Sequence, residues 1–306
     1  MSSKIDPTPA QNSFLKIYKA EIILLLVTFT WGLTFPLIKI SLQFISPVFF
    51  LFIRFFVTLI VFYFLFRKKL DFSKFTEWKS GLILGIFLFF GFALQTTGLK
   101  FTTASKSAFI TGTALIIIPF AQYFILKNKP RPENIAGAFL VLTGLYILSE
   151  VYFTLPNAGD ILTLFSAVSF AIHIVLLDKY SRSINFYYVA FGQFLAMTIL
   201  SLVFMLIFEV FVFNELFIII NATLILSLIY TSLISTLLSI ILITKYQYET
   251  TPLRAGIIYN MESLFAVFFA FILLGEILNF NQIIGAVIMI SGLLISEFYG
   301  LIKFKK

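Results

Sequence analysis

The chain of 306 residues is 60% apolar and only 12% charged, with a mean hydropathy of +1.04. Soluble domains run nearer half apolar and a quarter charged, so these proportions exclude an ordinary globular enzyme and describe a polytopic membrane protein. A sequence without cysteine excludes disulfides, thiolate metal sites and thiol redox chemistry, and the longest basic run behind the net charge of +8, Arg67-Lys68-Lys69, is too short for a nucleic-acid arm.

A helix needs ~20 apolar residues to cross a bilayer. Ten segments at or near that length follow one another. The first 19 residues are polar, and no small-residue cleavage site follows the first apolar run, so span 1 is expected to be retained. Span 1, Glu21–Ile40, carries Trp31, Thr34 and Pro36; a proline removes a helix donor and is expected to bend it. Span 2, Pro47–Phe66, holds Arg54 about seven residues below its outer end. Span 3, Ser80–Leu99, has Gln95 and the GxxxG pair Gly81/Gly85, a close-packing signature. Span 4, Lys106–Leu126, contains Thr111 and Pro119, and span 5, Pro132–Ser149, contains Gly137 and Gly144. Span 6, Asp160–Leu177, has Ser169 and the only histidine, His173; span 7 is Tyr187–Phe208. Span 8, Ala222–Thr244, carries Thr231 and Ser235. Span 9, Leu253–Leu274, carries Tyr259, Asn260 and Glu262, and span 10, Gln282–Leu301, has Gly285 and Gly292. The runs are continuously apolar rather than alternating, which excludes a membrane barrel and leaves an all-α integral membrane fold.

Charge sets the orientation. With the N-terminus inside, 18 of the 22 lysines and arginines fall in cytoplasmic segments. Only Lys39, Lys100 and Lys106 lie opposite, with Arg54 inside span 2. Such a bias places both termini in the cytoplasm and requires an even number of spans, ten.

The two halves repeat. A shift of 148 residues matches 11 of the 46 positions from 102 to 147, among them Thr103/Thr251, Gly137/Gly285 and Gly144/Gly292, and lays Lys106 on Arg254. Spans 1–2 and 6–7 align at a shift of 139, with a nine-residue insertion between spans 7 and 8. A repeat of five spans is odd, so the copies are expected to be inverted, which is a transporter architecture. The expected divisions are a cytoplasmic tail (1–20), a first five-helix repeat (21–150), a second (151–302) and a basic tail (303–306).

The order of local features resembles the EamA-type members of the drug/metabolite transporter superfamily. Those features are Trp31-Gly32-Leu33-Thr34-Phe35 in span 1, Pro47 with Arg54 in span 2, and Gly98-Leu99-Lys100-Phe101-Thr102-Thr103-Ala104-Ser105 between spans 3 and 4. They continue with Pro119, then Leu274-Gly275-Glu276, Gln282, Gly285 and Gly292. The first half departs from this pattern at Asn128, where Glu276 would be mirrored. The resemblance implies a secondary transporter, often an exporter, for small metabolites, amino acids or drugs, in the plasma (inner) membrane, with a small-molecule substrate and no cofactor.

Other chemistries would demand residues of other kinds. No Gly-x₄-Gly-Lys-Ser/Thr run is present, so transport would draw on a gradient, with protons as the candidate coupling ion. A membrane-embedded transferase needs clustered carboxylates or histidines, and His173 has Asp178 as its nearest acid in sequence, five residues on. A passive channel needs rings of charge or a carbonyl filter, which the sequence does not present. The expected pathway is therefore polar residues near the midplane: Trp31, Thr34, Arg54, Gln95, Thr111, Ser169, His173, Thr231, Ser235, Tyr259, Asn260 and Glu262. Arg54 reads as snorkelling, bound to a neighbouring helix, or holding a substrate carboxylate or a glutamate. His173 reads as a hydrogen-bonded packing residue or a proton relay. Glu262 stands near the centre of span 9 and is expected to share one face with Ala255, Tyr259 and Ala266, mirrored by Ser107, Thr111, Ala114 and Ile118. A carboxylate at that depth suits reversible proton binding or a cationic substrate group, unless Arg54 or a hydroxyl neutralises it. Lys106 and Arg254 head the hairpins expected to gate the two entrances.

Overall fold

The computed structural model describes residues 18–71, 73–149, 156–274 and 279–303. The Gly275-Glu276 element of the resemblance and most of both tails lie outside the described residues. Among the described residues the chain is helical, with one isolated antiparallel bridge between Ile45 and Ile218. Long apolar runs without water leave the backbone no partner but itself, so helices follow.

Among the described residues nine helices are long and apolar enough to cross a membrane: Lys19–Ser41, Pro47–Lys69, Phe75–Gly98, Lys106–Leu126, Pro132–Ser149, Ala158–Ser181, Phe186–Val212, Ala222–Glu249 and Phe280–Glu297. Span 9 is different. It is two helices, Pro252–Tyr259 and Glu262–Leu274, separated by Asn260 and Met261. There the Met261 N–H bonds back three residues to Ile258 O, and the Asn260 amide donates to Gly256 O. Span 4 breaks at Thr113, whose N–H likewise reaches three residues back, to Ile110. Span 1 breaks at Leu33, and Pro36 is the cause expected, since its ring opposes the carbonyl of Gly32 one turn earlier.

Helix starts follow local chemistry. Pro47 occupies the first turn of span 2, where no donor is lost. Asn157 and Asp160 form a reciprocal capping box at the start of span 6. Thr103 and Thr251, equivalent under the 148-residue shift, accept the N–H of Lys106 and Arg254 respectively.

Packing runs through glycine. Span 5 lies along span 10, where a Cβ on Gly137 would stand 2.7 Å from Gly292 O and one on Gly144 2.6 Å from Gly285 O. Spans 3 and 7 meet similarly at Gly81, Gly85 and Gly192. Within a bilayer no hydrophobic force joins helices, so close backbone approach and van der Waals contact must do so. The outer surface instead displays large apolar side chains such as Phe64, Phe124 and Phe139. A soluble monomer would not tolerate that surface, whereas lipid does.

Candidate functional site

The broken helices surround a central cavity of about 100 Å³. Spans 1, 2, 3, 4, 6, 8 and 9 line it, and spans 5, 7 and 10 support from outside.

Arg54 is the charge held in its wall. The side chain is fully buried, so it does not snorkel. Its Nε donates to Thr236 Oγ1 at 2.6 Å and one terminal nitrogen to Ser235 Oγ at 3.2 Å. The guanidinium carbon lies 4.7 Å from the centre of the Phe92 ring, a cation–π distance. The remaining nitrogen, Nη1, is buried without a hydrogen-bond partner. Ser235 and Thr236 are neighbours in sequence, and span 8 presents both because Tyr230–Leu238 is wound as a π-helix. Such wide turns recur at functional positions.

Glu262 lines the same cavity but is not Arg54's partner. Among the described residues its carboxyl makes no hydrogen bond or ion pair. The break at Asn260-Met261 also changes its neighbours. Tyr259, Asn260 and Gly256 line the cavity with it, whereas Ala255 is packed away and the Ala266 backbone abuts Gly32 of span 1. The expected Ala255/Ala266 face is therefore corrected: the two-residue break interrupts the 3.6-residue phase on which it rested. In span 4, Thr111, Ala114 and Ile118 do line the cavity, and Ser107 is buried elsewhere.

Other expected residues are distributed as follows. Trp31 lines the cavity, donates from its indole to Ser235 O at 3.0 Å, and tilts against Tyr259 at 5.3 Å between ring centres. Gln95 lines it and donates to Thr111 Oγ1 at 2.9 Å, and Thr34 also faces inward. His173 lines it while its Nε2 pairs with Gln193 Oε1 at 2.8 Å, and Gln193 donates in turn to Thr244. Ser169 and Thr231 do not line the cavity. Their hydroxyls bond to Phe165 O and Ser227 O of their own helices. Gln247 was missed because it follows the apolar run. Its amide donates to Ile174 O at 2.7 Å and accepts the Tyr259 hydroxyl at 2.9 Å, joining spans 6, 8 and 9 at the cavity wall. Phe92 and Phe170 were also missed, being indistinguishable among 41 phenylalanines.

The hairpin cations begin the short helices that lead to the cavity. Lys106 Nζ bonds Asp160 at 2.6 Å, and Arg254 pairs with both Glu21, at 3.1 Å, and Glu297. Among the described residues no three histidine, aspartate or glutamate side chains gather as metal ligands.

The sequence matches the EamA-like transporter family twice, over residues 18–150 and 157–298. The chain belongs to the EamA-like transporter family. It is thus a multi-pass membrane protein of the cell membrane whose partner is a small molecule. A relative from Archaeoglobus fulgidus, named "Uncharacterized transporter", is 35% identical over 276 residues, 90% of this chain and 85% of its own. A relative from Salmonella typhimurium, named "Probable amino-acid metabolite efflux pump", is 26% identical over 291 residues, 90% of this chain and 93% of its own. A solved crystal structure shares the fold with a TM-score of 0.75 at 15% identity, covering 92% of this chain and 97% of that one.

Proposed function

We propose that this EamA-like protein is a secondary active transporter that exports a small organic solute by alternating access, and that it is not an enzyme. One observation carries the reading: a basic and an acidic side chain line one cavity and do not pair with each other. Among the described residues Arg54 Nη1 is buried without a hydrogen-bond partner, and the Glu262 carboxyl lines the cavity with no hydrogen bond or ion pair. A charge inside a bilayer costs at least ~2.5 kcal/mol, and such residues mark substrate or ion pathways.

The solute that satisfies both is one bearing a carboxylate and an ammonium group. Its carboxylate lies on Arg54, its ammonium on Glu262, and its apolar body against Trp31, Phe92 and Phe170. That chemistry agrees with the printed name of the Salmonella relative. Between solute cycles Glu262 binds and releases a proton, which couples transport to the proton gradient.

The architecture proposed is ten spans in two inverted five-helix repeats, with both termini cytoplasmic and the division between repeats near residue 150. The glycine contacts support it. A two-fold axis in the membrane plane, exchanging Gly137 with Gly285 and Gly144 with Gly292, brings Gly137 to Gly292 and Gly144 to Gly285 in the same operation. The breaks at Thr113 and at Asn260-Met261 are equivalent under the 148-residue shift and supply hinges at corresponding depths.

Counterflow in proteoliposomes tests this reading. A panel of amino acids should include solutes that exchange across the bilayer only with the protein present, faster under a proton gradient. If zwitterions are ignored while solutes of a single charge type exchange, the assignment of both charges to one solute is wrong.

A further inference from the structure

Two largely buried ion pairs tie the two repeats together, one near each end of the cavity, beside a more exposed pair between Lys100 and Glu215 at 3.0 Å. At one end Lys106 Nζ meets Asp160 at 2.6 Å, and Asp160 also accepts the Thr102 hydroxyl at 2.7 Å. At the other, Arg254 meets Glu21 at 3.1 Å. The pairs are related residue by residue. The 148-residue shift carries Lys106 onto Arg254, and the 139-residue shift that relates spans 1–2 to spans 6–7 carries Glu21 onto Asp160. Each pair therefore joins the first turn of the fourth helix in one repeat to the first turn of the first helix in the other.

All four side chains are largely buried, from 6% exposed at Asp160 to 20% at Arg254. Each cation begins the short helix that leads to the cavity, reached at Thr111 five residues after Lys106 and at Gly256 two residues after Arg254. The backbone is close as well: Gly159 leaves no room for a Cβ beside Gly98 O and Thr102 N, and Asn157 donates to Phe101 O at 3.1 Å. Opening either entrance by moving one repeat against the other has to part the pair at that end.

We propose that Asp160 and Glu21 are the latch residues of the two entrances, holding Lys106 and Arg254 across the repeat boundary so that only one latch releases at a time. The proposal rests on the alternating-access reading but is tested without any solute. The latches differ in one respect. Arg254 has a second carboxylate, Glu297, which belongs to its own repeat. Removing Glu21 thus frees the boundary while leaving Arg254 compensated, whereas removing Asp160 strands Lys106 at a buried site, a costlier change.

The sequence has no cysteine, so a single Ile38→Cys on the cavity wall reports its exposure without background. An impermeant maleimide is applied to intact cells and to inverted vesicles carrying Ile38→Cys alone or combined with Glu21→Gln, Asp160→Asn, or the swap Lys106→Asp/Asp160→Lys. Asp160→Asn should raise the labelling rate from one face and Glu21→Gln from the opposite face, each by about five-fold or more, the low end of ordinary site coupling. The swap should return labelling to the parent rate, and it carries the test if Asp160→Asn fails to fold. Equal rates in all variants, or both variants responding from the same face, would overturn the latch assignment. Opposite-face responses in a protein that carries no tested solute would leave the latches standing and count against the transport reading instead.

Discussion

At the scale of single residues, the burial of Arg54 decides what its substitution will do. The guanidinium offers a planar fork, two arms of which are engaged by Thr236 and Ser235 while the third faces no protein acceptor. Lysine keeps the charge but not the fork. Arg54→Lys should leave the protein folded and weaken the apparent affinity for a zwitterionic solute about ten-fold to a hundred-fold, the range of one charge-assisted hydrogen bond. Substrate-dependent thermal stabilisation checks this; an unchanged affinity would mean the free nitrogen faces no ligand. Most of the polar side chains of the cavity wall were legible in the sequence, because a polar side chain within a bilayer-length apolar run has few places to go. Ser169 and Thr231 show the limit. A serine or threonine hydroxyl can satisfy itself on the carbonyl four residues earlier, as both do, and then needs no cavity. Thr231 also sits in the π-wound turn, where residues four apart no longer share a face with Ser235 as they would in an α-helix.

Among the elements, spans 5 and 10 form the supporting wall, and their glycines set its spacing. A Cβ on Gly285 would fall 2.5 Å from Leu148 N and 2.7 Å from Gly144 O, both backbone atoms that cannot rotate away. Gly285→Leu should therefore destabilise the protein by about 3 kcal/mol or more, the upper range of overpacking. Val287→Leu, at an exposed position two residues on, should be nearly silent. Thermal melts of the two variants in detergent separate the outcomes, and equal stability would deny that the glycines set the helix spacing. The spacing of these glycines could be read from the sequence, whereas the break in span 9 could not. Ile257-Ile258-Tyr259-Asn260-Met261 contains neither proline nor glycine, and its turn is made by the Asn260 side chain competing for the Gly256 carbonyl. Only Gly256, one turn earlier and crowded against Leu115 and Ile118, hints at a special backbone.

For the whole molecule, the internal repeat explains more of the arrangement than any single motif. The same two shifts that align the halves pair the glycines of spans 5 and 10, place the two helix breaks at equivalent positions, and relate the two largely buried ion pairs between the halves. These relations were open to a reader of the sequence as correspondences, but not as contacts. Which member of one repeat meets which member of the other depends on how the copies are oriented and docked. The cavity lies where they meet, and Arg54 and Glu262, which line it without pairing with each other, belong to the first and second halves of the chain respectively. The central claim, that this cavity binds and moves a solute through Glu262, is tested most directly by transport in proteoliposomes with Glu262→Gln. The amide keeps the shape but holds no charge and exchanges no proton. The variant should reconstitute and melt like the parent, and should either lose solute transport or carry it at a rate that no longer responds to pH. Transport at the parent rate with the parent pH profile would contradict the account.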